Sequence, residues 1–246
     1  MRPSGGLGHA IATIHADPRW LPKIVLHGLL GISLIGAPLA LGWVMESMDN
    51  SRKGYPTPLP PWSDWTARYL IGIFVLLIDF SFFLLPLLLL GMLTLCFSVG
   101  LIGAGAVDTA LLSPIFSLIA GLGGLLAAGA FVSGVSPIGR LRYAEEGRVA
   151  QALGRDTLRP ALSGPGRRIF LAARLRSLPA YLPFLLLGGL TFQLAQRSFA
   201  GQGFIVALAS WLSISALIYA HLIVVQLYVA AERDMQKLIM AQYMPG

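Results

Sequence analysis

The chain has 246 residues, of which 56% are hydrophobic and only 12% are charged, and its formal net charge is +7. In soluble domains roughly a quarter of the residues are charged, so this composition excludes an ordinary soluble protein. Nine of the eighteen basic residues lie between Arg140 and Arg176, in one connection between apolar runs. This clustering follows the usual charge bias of loops beside membrane spans and argues against nucleic-acid binding.

Several apolar runs exceed the roughly 18–20 residues that cross a hydrocarbon core of about 30 Å. They are continuous rather than alternating, which predicts membrane-spanning helices and an all-α fold. We expect a single integral membrane domain over residues 1–246, a polytopic transmembrane helix bundle. Its five predicted spans lie at about 21–46, 67–100, 109–135, 177–196 and 204–230.

The first predicted span opens at the sequence Asp17-Pro18-Arg19-Trp20. Aspartate is a good helix cap and proline fits the first helical position, so this sequence predicts a helix start. We expect Trp20 at the depth of the lipid headgroups, with Lys23 extending toward them. Pro38 predicts a kink within this span.

The next predicted element is a polar, proline-rich connector over residues 47–66, followed by a new helix. Its proline density favours an extended path. Trp62, Trp65 and Tyr69 lie where the chain turns apolar again, and tryptophan and tyrosine prefer membrane interfaces. The pattern is therefore typical of a chain re-entering the bilayer through aromatic anchors rather than of a ligand-binding loop.

Residues 68–105 form one long apolar stretch, interrupted mainly by Asp79 and Pro86. As a single helix it would be about 57 Å long, too long for one upright crossing. The two alternatives are one long kinked helix, or a hairpin at Pro86 that raises the number of spans to six. We favour five spans, because a hairpin turn there lacks polar residues to satisfy its backbone inside the membrane.

The stretch 137–176 is a basic connector, which the positive-inside rule places in the cytoplasm together with the C-terminus. Apolar positions within 138–153 share one side, which predicts a helix lying on the membrane with its arginines against anionic lipid headgroups. Docking of an acidic partner or a phosphate ligand is the alternative. The arginines expected to make such contacts are Arg140, Arg142, Arg148, Arg167, Arg168, Arg174 and Arg176.

Three polar residues inside the predicted spans are candidate functional residues: Asp79, Gln193 and His221. Asp79 suits a proton or cation site or a salt bridge to another subunit; alternatively, a Ser, Tyr or Arg of this chain neutralises it. His221 either binds a haem or chlorophyll-type metal or hydrogen-bonds across helices.

The sequence contains no Ser-His-Asp set, zinc-ligand spacing or paired carboxylates. We therefore expect no catalytic residues, no metal site and no enzymatic activity. Apart from the possibility of a pigment or haem at His221, no cofactor is predicted.

Small residues recur every four positions in the third predicted span, at Ala120, Gly124 and Ala128. Such faces let helix backbones approach closely. We expect this face to pack inside the bundle, with packing against another protein's helix as the alternative.

Three motifs carry a resemblance to a known family. They are "DPRW" with Asp17, Pro18 and Trp20, "LPPWSDW" at 59–65, and "RYAEEG" at 142–147. Together they are similar to the domain of unknown function 4013 family over roughly residues 17–230. The family consists of small multi-pass bacterial and archaeal membrane proteins, so the resemblance implies a membrane architecture and supplies no catalytic residues. The chain departs from the pattern at the extra Pro60, at Asp79 and in the arginine-rich segment 160–180.

These observations favour a non-catalytic accessory or scaffold subunit that packs against a larger membrane complex, of an energy-converting or photosynthetic kind for example. Transport of a small solute or lipid is one alternative, and a pigment-, haem- or quinone-binding subunit is another. The expected partners are the bilayer, anionic lipids and other membrane subunits. The sequence identifies neither the partner complex nor the substrate nor the oligomeric state.

Overall fold

Every regular element described by the computed structural model is a helix, which confirms the predicted all-α class for those residues. The structure describes residues 5–33, 35–103, 109–162, 164–198 and 200–243. The helices are α1 (Leu7–His15), α2 (Trp20–Ile32), α3 (Gly36–Lys53), α4 (Trp65–Asp79), α5 (Leu85–Gly103), α6 (Thr109–Ser133), α7 (Val135–Glu146), α8 (Val149–Ala152), α9 (Arg155–Leu162), α10 (Gly164–Ser177), α11 (Leu182–Ala195) and α12 (Gln202–Tyr243).

Fewer helices qualify as membrane spans than the sequence predicted. Within the described ranges, three are long and apolar enough to cross a membrane: Trp65–Phe83, Gly164–Ala195 and Gln202–Ala241. A fourth is added if Ser117–Ser133 and Val135–Glu146, which meet at an angle of 47°, are one bent span. The described residues therefore support three or four spans, where the sequence predicted five or six.

The range 21–46, predicted as one span, is a helical hairpin made of α2 and α3. The rings of His27 in α2 and Trp43 in α3 stack with centroids 4.0 Å apart. In one continuous helix these residues would be about 24 Å apart along the axis, so α3 must fold back on α2. With only 13 residues, α2 is about 20 Å long and too short to cross the bilayer alone.

The break between α2 and α3 is set by a serine rather than by the proline that was expected to bend the span. Ser33 follows the end of α2, and its hydroxyl accepts a hydrogen bond of 2.9 Å from the backbone N–H of Gly36, the first residue of α3. Pro38 lies in the first turn of α3, where a missing backbone N–H leaves no helical hydrogen bond unmade. The predicted kink at Pro38 was wrong for this reason.

The connector predicted over 47–66 is shorter than expected, because α3 continues to Lys53 and α4 begins at Trp65. Its proline-rich part, 54–64, is fastened to this hairpin through its backbone carbonyls. Lys23 Nζ donates to the carbonyl of Leu59 at 3.2 Å, and Trp43 Nε1 donates to that of Pro60 at 3.4 Å. Because the prolines have no N–H to offer, the segment is bound mainly as an acceptor of hydrogen bonds from side chains. The connector is thus part of the folded N-terminal half.

Two glycines allow α4 to pack closely on α3. A Cβ atom added to Gly42 would collide with the carbonyl oxygen of Arg68, and one added to Gly72 would collide with the carbonyl oxygen of Pro38. Each glycine therefore faces the backbone of the opposite helix, where no larger side chain fits.

The chain continues as a helix through Pro86, because a π-helical turn at Phe80–Leu84 joins α4 to α5. Proline disturbs the preceding helical turn, and a wider π turn accommodates that disturbance. No hairpin turn occurs at Pro86. The last two residues of the predicted stretch, 104 and 105, lie outside the described residues.

The long helix α12 is the centre of the molecule and contacts α1, α2, α3, α7, α10 and α11. Its residues Leu222, Ile223 and Tyr228 are almost completely buried. Near its C-terminal end, Glu232 accepts two hydrogen bonds from Arg52 of α3, at 2.8 and 3.2 Å. The apolar core and this ion pair together fix the N-terminal hairpin against the C-terminal helix.

The basic connector does not form the single helix predicted over 138–153. Instead α7 leaves α6 at Gly134, whose φ of 69° makes the bend, and α7 is followed by the short helix α8. The first seven residues of α7 are buried, so this helix belongs to the interior. The apolar side that suggested contact with lipid is used for packing within the protein.

Candidate functional site

Asp79 lies at the end of α4, directly before the π-helical turn, and it is neutralised within this chain. Its carboxylate accepts a hydrogen bond of 2.6 Å from the Ser136 hydroxyl and one of 3.1 Å from Arg140 Nε. Arg140 Nη2 binds the second carboxylate oxygen. Of the two hypotheses for Asp79, pairing with a Ser or Arg of this chain is the one that the structure contains.

The pair borders a cavity of about 300 Å³, a volume at the lower end of the range of ligand pockets. Six helices contribute to its wall, together with the irregular turns Phe80–Leu84 and Leu178–Tyr181. Its lining residues are Met48, Asp79, Phe83, Phe131, Ser136, Pro137, Arg140, Arg174, Tyr181, His221, Val224 and Val225.

Arg174 of α10 is the second arginine of this wall and is only 2% exposed. Its guanidinium carbon lies 4.1 Å from the centroid of the Phe131 ring. Its Nε and Nη1 are buried and have no hydrogen-bond partner among the described residues. Unlike Arg140, it forms no ion pair with a described residue. The cavity therefore contains a buried cation without a counter-ion from the described chain.

His221 of α12 also lines the cavity, with its ring edge-on to that of Tyr181 at 6.0 Å. Among the described residues, no group of three or more His, Cys, Asp or Glu residues is arranged to hold a metal ion. Binding of a pigment or haem by His221 alone stays a prediction. Gln193 is exposed on α11 and is not part of the cavity wall.

The seven arginines predicted to contact headgroups or a partner fall into two groups. Arg140 and Arg174 are buried in the described chain and so do not lie on an exposed helix face, while their contact with a headgroup or a partner stays a prediction. The others are exposed or half-buried: Arg142, Arg148, Arg167, Arg168 and Arg176. For these five, contact with lipid or with an acidic partner stays a prediction.

The predicted aromatic anchors lie around the N-terminal hairpin. Trp20 is half-buried and stacks on His15 at 4.2 Å. Trp62 and Trp65 are more than one third exposed, and Tyr69 is half-buried. Their depth in a membrane stays a prediction.

Lys23 does not extend toward headgroups as expected. Its ammonium is buried in a 2.6 Å ion pair with Asp17, whose other carboxylate oxygen accepts from the backbone N–H of Arg19. Asp17 is not the cap of α2 that was predicted, because Arg19 precedes the helix and no side chain caps its start. Its carboxylate instead binds the turn before α2 and the lysine that fastens Leu59. The first two sequence motifs meet in space through this lysine.

The small residues of α6 do not pack inside the molecule. Gly124 and Ala128 are exposed, and a Cβ added to Gly124 would meet nothing within 4 Å. The side chain of Ala120 lies outside the described residues. The expected internal packing of this face was wrong at the two positions that the structure describes.

Sequence reasoning missed the partners of Asp79 and the burial of Arg174. One signal was present, because Ser136 and Arg140 are four residues apart at the start of a helix and so lie on one face. An apolar segment carrying such a pair is a natural partner for an acid inside another helix. Nothing in the spacing of Arg174 distinguishes it from the exposed Arg167 and Arg168.

Comparison with known protein families identifies a match. The model of the family described as "Protein of unknown function (DUF4013)" matches residues 25–176, which include Asp79, Ser136, Arg140 and Arg174. The match confirms the resemblance seen in the sequence motifs, although the first motif and His221 lie outside the matched range. Neither the curated proteins nor the solved structures that were compared give a match.

Proposed function

The chain belongs to the DUF4013 family, and from this premise we propose that it is a non-catalytic, multi-pass membrane protein that serves as an accessory subunit of a larger membrane complex. The observation that carries the proposal is the uncovered small-residue face of α6. Gly124 and Ala128 point away from the rest of the described chain. Within a bilayer such a face suits close approach of a second helix, because small residues let two backbones come together.

The site chemistry supports a subunit more than a transporter. Asp79, the residue expected to carry a proton or cation, is bound by both Ser136 and Arg140. Both oxygens of this carboxylate already accept hydrogen bonds from side chains of this chain, which leaves them less available to a transported cation. Transport stays the alternative.

For the membrane arrangement, we propose crossings by the long apolar helices and a hairpin α2–α3 that dips into the bilayer without crossing it. Under the same proposal the membrane is a prokaryotic cytoplasmic membrane, with the connector 137–176 and the C-terminus in the cytoplasm. The density of arginine in that connector supports this orientation.

The test is co-purification of the tagged protein from its native membrane in mild detergent, comparing Gly124→Leu with Gly129→Leu. Both glycines belong to α6 and both have open space where a Cβ would be, but five residues place them about 140° apart around the helix. We expect the wild type and Gly129→Leu to retain a companion in fixed stoichiometry. Gly124→Leu should reduce its yield at least about 10-fold, a loss of about 1.4 kcal/mol of binding free energy.

Quantitative mass spectrometry of the purified samples measures this ratio, and helical content by circular dichroism checks that both variants fold. A wild-type protein that purifies without a stoichiometric companion contradicts the proposal. So does a companion that both variants retain equally.

A further inference from the structure

The cavity beside Asp79 contains an unbalanced positive charge. Arg140, Arg174 and Asp79 all belong to its wall, and Asp79 is already bound by Arg140. Arg174 is thus left with no acidic partner among the described residues. Its buried Nε and Nη1 are also without hydrogen bonds there.

The rings of Phe131 and Tyr228, whose centroids lie 4.1 and 5.7 Å from the guanidinium carbon of Arg174, compensate this charge only in part. A cation–π contact offsets only part of the cost of removing an ion from water. The difference is large enough that an arginine at 2% exposure calls for a further counter-charge.

The geometry points to a binding site for a phosphate group in this cavity, with Arg174 as its main ligand. A guanidinium presents parallel N–H donors that match two oxygens of one phosphate. A phosphodiester carries one negative charge, which equals the charge that Asp79 leaves uncompensated. The cavity volume of about 300 Å³ accommodates a phosphate with part of the group it esterifies.

Two sources supply the same chemistry: the headgroup of an anionic phospholipid, or free phosphate. The residues around the two arginines include Phe83, Phe131 and Val225, which suit contact with lipid as well as with the protein core. This inference does not depend on the accessory-subunit role, since it rests on Arg174 and its missing counter-charge and not on the exposure of Gly124 and Ala128.

The experiment uses the full-length protein in nanodiscs and in detergent, with two lipid probes that share their acyl chains. One probe is phosphatidylglycerol and the other is a neutral glycolipid without phosphate. Native mass spectrometry counts the lipid molecules retained after detergent exchange. Arg174→Gln removes the proposed ligand, and Arg167→Gln is the matched control because Arg167 is an exposed arginine of the same helix.

We expect the wild type to retain phosphatidylglycerol at least about 10-fold better than the glycolipid, which corresponds to about 1.4 kcal/mol. Arg174→Gln should abolish this preference, and Arg167→Gln should change it less than twofold. Titration with inorganic phosphate then identifies the source. Displacement of the lipid by phosphate shows a site open to the free anion, and retention of the lipid shows a headgroup site; both support a phosphate ligand.

Equal retention of the two lipids by the wild type overturns the inference, and so does a preference that survives Arg174→Gln. If Arg174→Gln yields no folded protein, the inference is tested by comparing the melting temperature of the wild type in the two lipids. A ligand that binds only the folded state raises the melting temperature, so phosphatidylglycerol should raise it above the value in glycolipid. Identical melting temperatures in the two lipids reject the site.

Discussion

At the scale of single residues, the interior polar groups matter through their partners. Asp79 and Arg140 form a pair whose side chains are 23% and 8% exposed. Breaking a buried ion pair on one side leaves an uncompensated charge, which destabilises much more than removing both partners. By contrast, the exposed pair Arg142–Glu145 on the same helix should contribute less than about 1 kcal/mol.

We predict that Asp79→Asn lowers the free energy of unfolding by about 3 kcal/mol, at the low end for a broken buried pair because Asp79 is partly exposed. Adding Arg140→Met should restore part of the loss, since the charge left alone is then removed. Equilibrium unfolding by denaturant in mixed micelles measures both variants. Glu145→Gln is the control, with an expected change below about 1 kcal/mol. A loss for Asp79→Asn that is no larger than the control would show that the pair contributes little.

At the scale of elements, close helix packing is decided by glycines that face another backbone. A Cβ added to Gly72 of α4 would collide with the carbonyl oxygen of Pro38 in α3, whereas one added to Gly91 of α5 would meet no described atom within 4 Å. A glycine is therefore required for close packing in α4, whereas in α5 the position has room for a side chain. Only the neighbouring helix in the folded structure distinguishes these two glycines.

We predict that Gly72→Ala destabilises the protein by about 2–3 kcal/mol or more, because a methyl group forces α3 and α4 apart. Gly91→Ala should be neutral or stabilise by up to about 1 kcal/mol through helix propensity. Unfolding transitions of the two variants, measured side by side, give the comparison. Similar values for both would mean that the α3–α4 contact tolerates the extra methyl group.

At the scale of the whole molecule, the connector and the C-terminal part of α12 are neighbours. A cavity is lined jointly by Arg142 and Glu145 of α7 and by Glu232 and Met235 of α12. Since helices in contact outside the apolar layer lie on the same side of a membrane, the connector and the C-terminus should share one compartment.

We predict that single cysteines at Arg155 and Lys237, introduced into a Cys96→Ser background, react with an impermeant maleimide from the same side only. Cys96 is the chain's single cysteine, so its replacement removes background labelling. Labelling in right-side-out and inverted vesicles measures accessibility, and the positive-inside rule predicts reaction in the inverted vesicles. Labelling of the two positions from opposite sides would contradict this arrangement.

The sequence by itself determined the helical class, the family and the approximate position of the long apolar helices, because long apolar runs in lipid leave the backbone few other conformations. It also identified Asp79 as a residue that requires a partner. Only the tertiary structure decided that residues 21–46 fold back as a hairpin, that Arg140 neutralises Asp79 and that Arg174 is buried. The local pattern of hydropathy is the same for a helix that crosses the membrane, for one that folds back as part of a hairpin, and for one that packs inside the protein. These outcomes depend on contacts between segments distant in sequence, such as Ser136 with Asp79, which no local periodicity records.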